Sequence, residues 1–134
     1  MTDHAAEPNT DPVALIFPGQ GSQAPGMGKL VYQKSEAARR TFEEASDLTH
    51  LDVAKICFDS DVDDLAETTY TQPAVLTTSV AIVAAIALTM RRRPGLKAQD
   101  VAKQVAVRRE DRVRVIKMPA ERRDAEGAGG EGGR

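Results

Sequence analysis

Tryptophan is absent from these 134 residues, cysteine occurs once and histidine twice. Cys57 alone allows no internal disulfide, which fits a reducing compartment. Aromatic residues make up 4% of the chain, so any core has to be built from Ala, Val, Leu and Ile. No signal-peptide pattern opens the sequence: Met1 to Asp11 is polar, contains Pro8 and reads as a disordered lead-in. The longest weakly polar run, Pro73 to Met90, approaches the length of a membrane span. It is interrupted by Thr77, Thr78, Ser79 and Thr89, and these hydroxyls with the flanking charges favour a buried helix over a membrane helix. There is no internal repeat, and the length suits one domain with one core.

Charge is unevenly spread. Residues 1–90 carry five basic and thirteen acidic side chains, whereas residues 91–134 carry thirteen basic and seven acidic ones. Such a basic segment can contact nucleic acid. Its interspersed acids and lack of aromatics argue against that role.

The rest of the chain is organised around residues 12–28. Val13–Phe17 is a short apolar run of strand formers, and Pro18 and Gly19 close it. Four glycines and two prolines within residues 18–28 forbid strand or helix until about Met27. The pattern predicts a buried strand that ends in an exposed, backbone-rich loop. In α/β proteins such a loop lies at the carboxyl edge of the sheet, where ligands bind.

Local signals place the following elements. Gly28 to Gln33 suits one or two helical turns with Met27, Leu30 and Val31 on the apolar face. Ser35 fits an N-cap, Glu36 the first turn, and Ala37, Ala38, Phe42 and Ala45 repeat at helical spacing. Asp52 opens a short helix through Val53, Ile56 and Cys57, and a further short helix is expected at Val62–Glu67. Pro73 suits the first position of the next helix, with Thr71 or Gln72 outside it as a cap. That helix, running to about Arg91, is apolar on nearly all sides and is expected to be buried all round. Arg91–Arg93 complement its carboxyl end, and Pro94-Gly95 stops it. Residues 104–107 and 112–118 alternate polar and apolar, so a hairpin around Glu110-Asp111 is possible. From Pro119 the chain is charged, glycine-rich and expected to be disordered.

Three chemistries compete for the glycine loop. Gly19-Gln-Gly21-Ser-Gln-Ala24 formally fits a dinucleotide fingerprint, but Pro25 and Gly26 block the helix that should hold the pyrophosphate. Its acidic partner would be Glu43 or Glu44, which lie in a helix and not at a strand end. A phosphate-binding loop over residues 23–30 fails at Gln23 and Leu30. The third chemistry is oxyanion stabilisation, with backbone N–H groups and Gln20 meeting charge that develops on a carbonyl oxygen. Composition alone favours a plain turn leading into a helix.

The string Phe17-Pro18-Gly19-Gln20-Gly21-Ser22-Gln23, with Gly26-Met27-Gly28 after it, resembles the amino-terminal signature of the malonyl-CoA:acyl-carrier-protein transacylase family, shared by acyltransferase domains of fatty acid and polyketide synthases. The likeness extends through Ala38–Ala45, more loosely through Val53–Phe58, and through Thr71-Gln72-Pro73-Ala74. It covers roughly residues 12–102, about the first third of a typical member. The resemblance implies an α/β fold: the amino-terminal part of an α/β-hydrolase-like acyltransferase domain, with the first strand and several helices supplied here and an irregular carboxyl-terminal segment. It implies three segments, namely the lead-in 1–11, a partial acyltransferase domain 12–102, and a divergent basic, glycine-rich tail 103–134.

For the site, the resemblance implies that Gln20 lines an oxyanion hole and that Gln72 and Gly21 lie against substrate. A helix cap is an equal alternative for Gln72. Malonyl-CoA and acyl carrier protein are the implied substrate and partner, with no cofactor, no metal, no membrane and a cytoplasmic setting.

Two of the family's essential parts have no counterpart. Its nucleophile is a serine in a Gly-His-Ser-x-Gly elbow, exposed by a sharp strand-to-helix turn. By spacing, that elbow should follow Asp100-Val101-Ala102, where Lys103-Gln104-Val105-Ala106-Val107 stands instead. No Gly-x-Ser-x-Gly occurs anywhere in the chain. Ser22 lacks the flanking glycines, and Ser79 falls inside an apolar helix, where a hydroxyl bonds back to the chain. His4 and His50 have no activating neighbours, no arginine sits in the context of the family's malonate-binding arginine, and Cys57 reads as a small buried hydrophobe. A chain that leaves the pattern near Lys103 is expected to be inactive, whether it is a truncated or frame-shifted product or carries a genuine second segment.

Overall fold

A computed structural model describes residues 13–105 and 114–117. The chain begins with strand β1 (Val13–Ile16), followed by the glycine loop and five helices: α1 (Lys29–Lys34), α2 (Glu36–Thr49), α3 (Val53–Asp59), α4 (Val62–Ala66) and the long α5 (Thr68–Arg92). Helix α6 (Ala98–Val105) and strand β2 (Arg114–Lys117) complete it.

The caps are local and follow from sequence. Ser35 accepts from the Ala38 N–H at the start of α2, Asp52 from Lys55 N–H at α3, and Asp61 from Asp64 N–H at α4. His50 ends α2 in a left-handed conformation, φ 57°. Arg40 pairs with Glu36 one turn away, and both are exposed, so the pair contributes at most about 0.5 kcal/mol.

Helix α5 is the axis of the fold. Helices α1, α2, α3, α4 and α6 all lie against it. Ile82 of α5 and Phe42, Val53, Leu65 and Val101 from the helices around it are fully buried, each worth about 1.5–3 kcal/mol of apolar transfer. Three of the five aromatics are brought together. Tyr32, Phe42 and Phe58 form one cluster with ring centroids 5.2–5.5 Å apart, which ties α1, α2 and α3 together.

Four features depart from the sequence expectations. First, α5 starts at Thr68, so Pro73 lies inside it and Gln72 is not a cap. Proline removes one helical hydrogen bond at a typical cost of about 3 kcal/mol. The preceding turn is held by Thr71, whose N–H donates to Glu67 O and whose buried hydroxyl shares its one proton between Leu65 O (2.6 Å) and Glu67 O (2.9 Å).

Second, α5 is not buried all round. It is long and apolar enough to cross a membrane, yet half of its most apolar stretch is buried within the fold and one stripe is open, with Leu76 66% exposed. The five helices around α5 cover only part of its circumference.

Third, β1 is exposed instead of buried, because among the described residues its one strand partner is β2 and none of them forms a layer over it.

Fourth, the carboxyl-terminal segment is not wholly irregular. Lys103–Val105 complete α6, and β2 pairs antiparallel with β1, Val13 opposite Lys117 and Ile16 opposite Arg114. The alternating stretch around residue 115 therefore finds a partner about a hundred residues upstream, residues 104 and 105 are helical, and the hairpin turn expected at Glu110-Asp111 lies outside the described residues. Glu110-Asp111, the lead-in 1–11 with His4, and the tail from residue 118 lie outside the described residues.

Candidate functional site

The end of β1 delivers the chain to a tight turn. Ser22 N–H donates to Gly19 O at 3.2 Å, and the Ser22 hydroxyl donates to the same carbonyl. Gly21 occupies the third position of this turn with φ +96°, a conformation that L-residues disfavour. Gln20 is thereby held at the second position, on the outer corner. Downstream, Gly26 N–H donates to Cys57 O at 2.8 Å, which fastens the loop to α3. Gly28 then starts α1 with φ +73°, packed against Phe42 and Thr78.

Gln20 faces α5. A groove of about 380 Å³ runs between the loop and this helix, lined by Phe17, Pro18 and Gln20 on one side and by Gln72, Leu76 and Val80 on the other. Gln72, Leu76 and Val80 are four residues apart and so share one helix face. Thr71, Val75 and Ser79 form the floor. No lining residue is ionisable. The two carboxamides are the exposed polar groups of an otherwise apolar trough, because the Thr71 and Ser79 hydroxyls are buried and already donate to main-chain carbonyls.

The structure thus brings Gln20 and Gln72 to one groove although 51 residues separate them in sequence. Gly21, expected against substrate, is not in its lining. Its N–H donates to the Gln23 side chain at 2.8 Å, so the turn uses that donor internally. The hydroxyl of Ser79 donates to Val75 O at 2.7 Å, as expected for a serine inside a helix. Cys57 is fully buried, with Sγ 4.0 Å from the Thr78 hydroxyl, and His50 is an exposed helix end away from the groove. Among the described residues no three metal-ligating side chains converge. Phe17, Leu76 and Val80 were not singled out from sequence, although the four-residue spacing from Gln72 places two of them on its face.

No family model matches this chain. Curated relatives do. The malonyl CoA-acyl carrier protein transacylase of Bacillus subtilis is 53% identical over 68 residues, which is 51% of this chain and 17% of that protein. A Staphylococcus aureus protein of the same name is 38% identical over 73 residues, covering 54% of this chain and 24% of the relative. Two solved structures are similar. The malonyl CoA-acyl carrier protein transacylase of Clostridium perfringens matches with TM-score 0.51 and 26% identity over 69% of this chain and 31% of that one. An acyl carrier protein S-malonyltransferase of Vibrio cholerae matches with TM-score 0.50 and 33% identity over 66% and 34%. The chain spans about a fifth of the length of the curated relatives. Over about half of its own length, this chain is homologous to the malonyl CoA-acyl carrier protein transacylases.

Proposed function

We propose that the groove between the glycine loop and α5 is the oxyanion side of an acyltransferase site, of the kind that moves malonyl from coenzyme A to acyl carrier protein in fatty acid or polyketide synthesis. One observation carries this reading: Gln20 and Gln72, each in a segment that resembles the transacylases, line one groove. The Gln20 carboxamide would donate to the thioester oxygen as it gains charge, and Gln72 would orient the acyl group from the opposite wall. A preorganised neutral donor in a trough without competing charges is worth more than the same group in water. The α/β-hydrolase-like architecture, the absence of a cofactor requirement and a cytoplasmic setting belong to the same reading.

These 134 residues contain neither the elbow serine nor a placed histidine base, so on their own they should not complete acyl transfer. Intact-mass measurement after incubation with malonyl-CoA should show no adduct, and a stable malonyl adduct on any residue would refute this. The role of Gln20 is tested by joining residues 1–102 to the remaining part of a related transacylase. Gln20→Ala in that chimera should lower turnover about 10²-fold with folding unchanged. Ser22→Ala should do much less. Small and equal effects would show that the loop is only a turn.

A further inference from the structure

The glycine loop carries a second glutamine that takes no part in the groove. Gln23 does not line it; its side-chain oxygen accepts from Gly21 N–H at 2.8 Å. Among the described residues this is the one acceptor for that amide.

The turn at Gly19–Ser22 is closed twice at one carbonyl, since the Ser22 N–H and the Ser22 hydroxyl both donate to Gly19 O. Those bonds hold the ends of the turn together but do not orient its middle. The closing bond is common to turns of types I and II, which differ in the direction of the central peptide. Gly21 has φ +96° and Gln20 has no positive φ, so this turn is type II. Rotating its central peptide to type I would take ψ of Gln20 from about +120° to about −30° and reverse the Gly21 N–H. Glycine accepts φ of either sign with similar ease, so Gly21 does little to choose between the two. The Gln23 oxygen receives that N–H in the observed orientation and loses it in the other.

The rotamers open to a side chain depend on its own φ and ψ. We infer that Gln23 is a positioning residue: by accepting from Gly21 N–H it fixes ψ of Gln20 and so presents the Gln20 carboxamide to the groove. A donor held in place before charge develops has no reorganisation left to make. The effect on a transition state rests on the acyltransferase reading, whereas the presentation of Gln20 does not.

NMR on the 134-residue chain tests the presentation. The couplings between Gly21 N–H and its Hα protons should fit φ near +96°, and the Gln20 side-chain amide should be ordered. Gln23→Leu removes the acceptor. The couplings should then average over both signs of φ, the Gln20 amide should lose order, and exchange of the Gly21 amide should quicken about fivefold. Gln23→Glu keeps an acceptor of the same shape and should restore all three. The transition-state effect is read in the chimera that contains residues 1–102. There Gln23→Leu should lower kcat about fivefold with KM unchanged, and Gln23→Glu should restore it. Added to Gln20→Ala, Gln23→Leu should cost nothing more, because it acts through Gln20. Averaged couplings in the unmodified chain, couplings and Gln20 order that ignore Gln23→Leu, or a loss that adds in full to that of Gln20→Ala would each overturn the inference. If Gln20→Ala left turnover unchanged while the NMR changes appeared, the acyltransferase reading would fail and the positioning of Gln20 by Gln23 would stand.

Discussion

Replacing Gly28 by alanine should remove a large share of the stability of this fold. An alanine Cβ at this position would lie 2.8 Å from the Phe42 ring, closer than real side chains approach, and 3.0 Å from the Thr78 hydroxyl, a tight contact. Phe42 cannot retreat, because it is 1% exposed and wedged against Tyr32 and Phe58. Forcing a methyl into such a site typically costs about 1–3 kcal/mol. The backbone adds to this: φ is +73°, where a side chain costs about 1–2 kcal/mol. Together the loss is about 3 kcal/mol, against a total of roughly 5–15 kcal/mol for a domain. Two other glycines separate the terms. Gly21→Ala has φ +96° but open space around it, so it should lose only the backbone part, about 1 kcal/mol. Gly19→Ala has open space and no positive φ, and should change stability by less than about 0.5 kcal/mol. Urea unfolding followed by circular dichroism, analysed at constant m-value, gives the three numbers. If Gly28→Ala cost no more than Gly21→Ala, the close approach of the loop to α2 and α5 would be wrong, and with it the placement of Gln20 over the groove.

Four further substitutions probe the groove floor and two helix caps. Thr71→Val keeps shape but leaves the Leu65 carbonyl without its hydroxyl donor, so thermal unfolding should report a loss of about 1–3 kcal/mol, whereas Ser79→Ala, which removes a single back-bond within the helix, should cost under about 1 kcal/mol. Asp61→Ala removes a 2.8 Å cap bond to Asp64 N–H and should cost about 1 kcal/mol in the same melt, with Ser35→Ala costing less because its bond to Ala38 N–H is 3.4 Å long.

Elements whose signals are local were legible in the sequence. Ser35, Asp52 and the Phe42 face of α2 act within one or two turns, and each sits where spacing placed it. Residues that depend on distant partners were not legible in the same way. The apolar run Val13–Phe17 states a demand for burial but not what could meet it, and among the described residues only β2 is there to pair with it. The alternation around Val115 was visible, but hairpin rules look a few residues away, and the strand it pairs with is β1. Pro73 gave a strong start signal for a helix, yet the helix begins five residues earlier, where the Thr71 hydroxyl reaches back to Leu65 and Glu67. That reversal matters for the site. A helix beginning at Pro73 would have left Gln72 in a loop, with its carboxamide competing to cap the first turn. Starting at Thr68, the helix fixes Gln72 in the same row as Leu76 and Val80, and that row is the wall Gln20 faces. The resemblance named both glutamines, but the groove joining them depends on one extra helical turn that no local rule would have assigned.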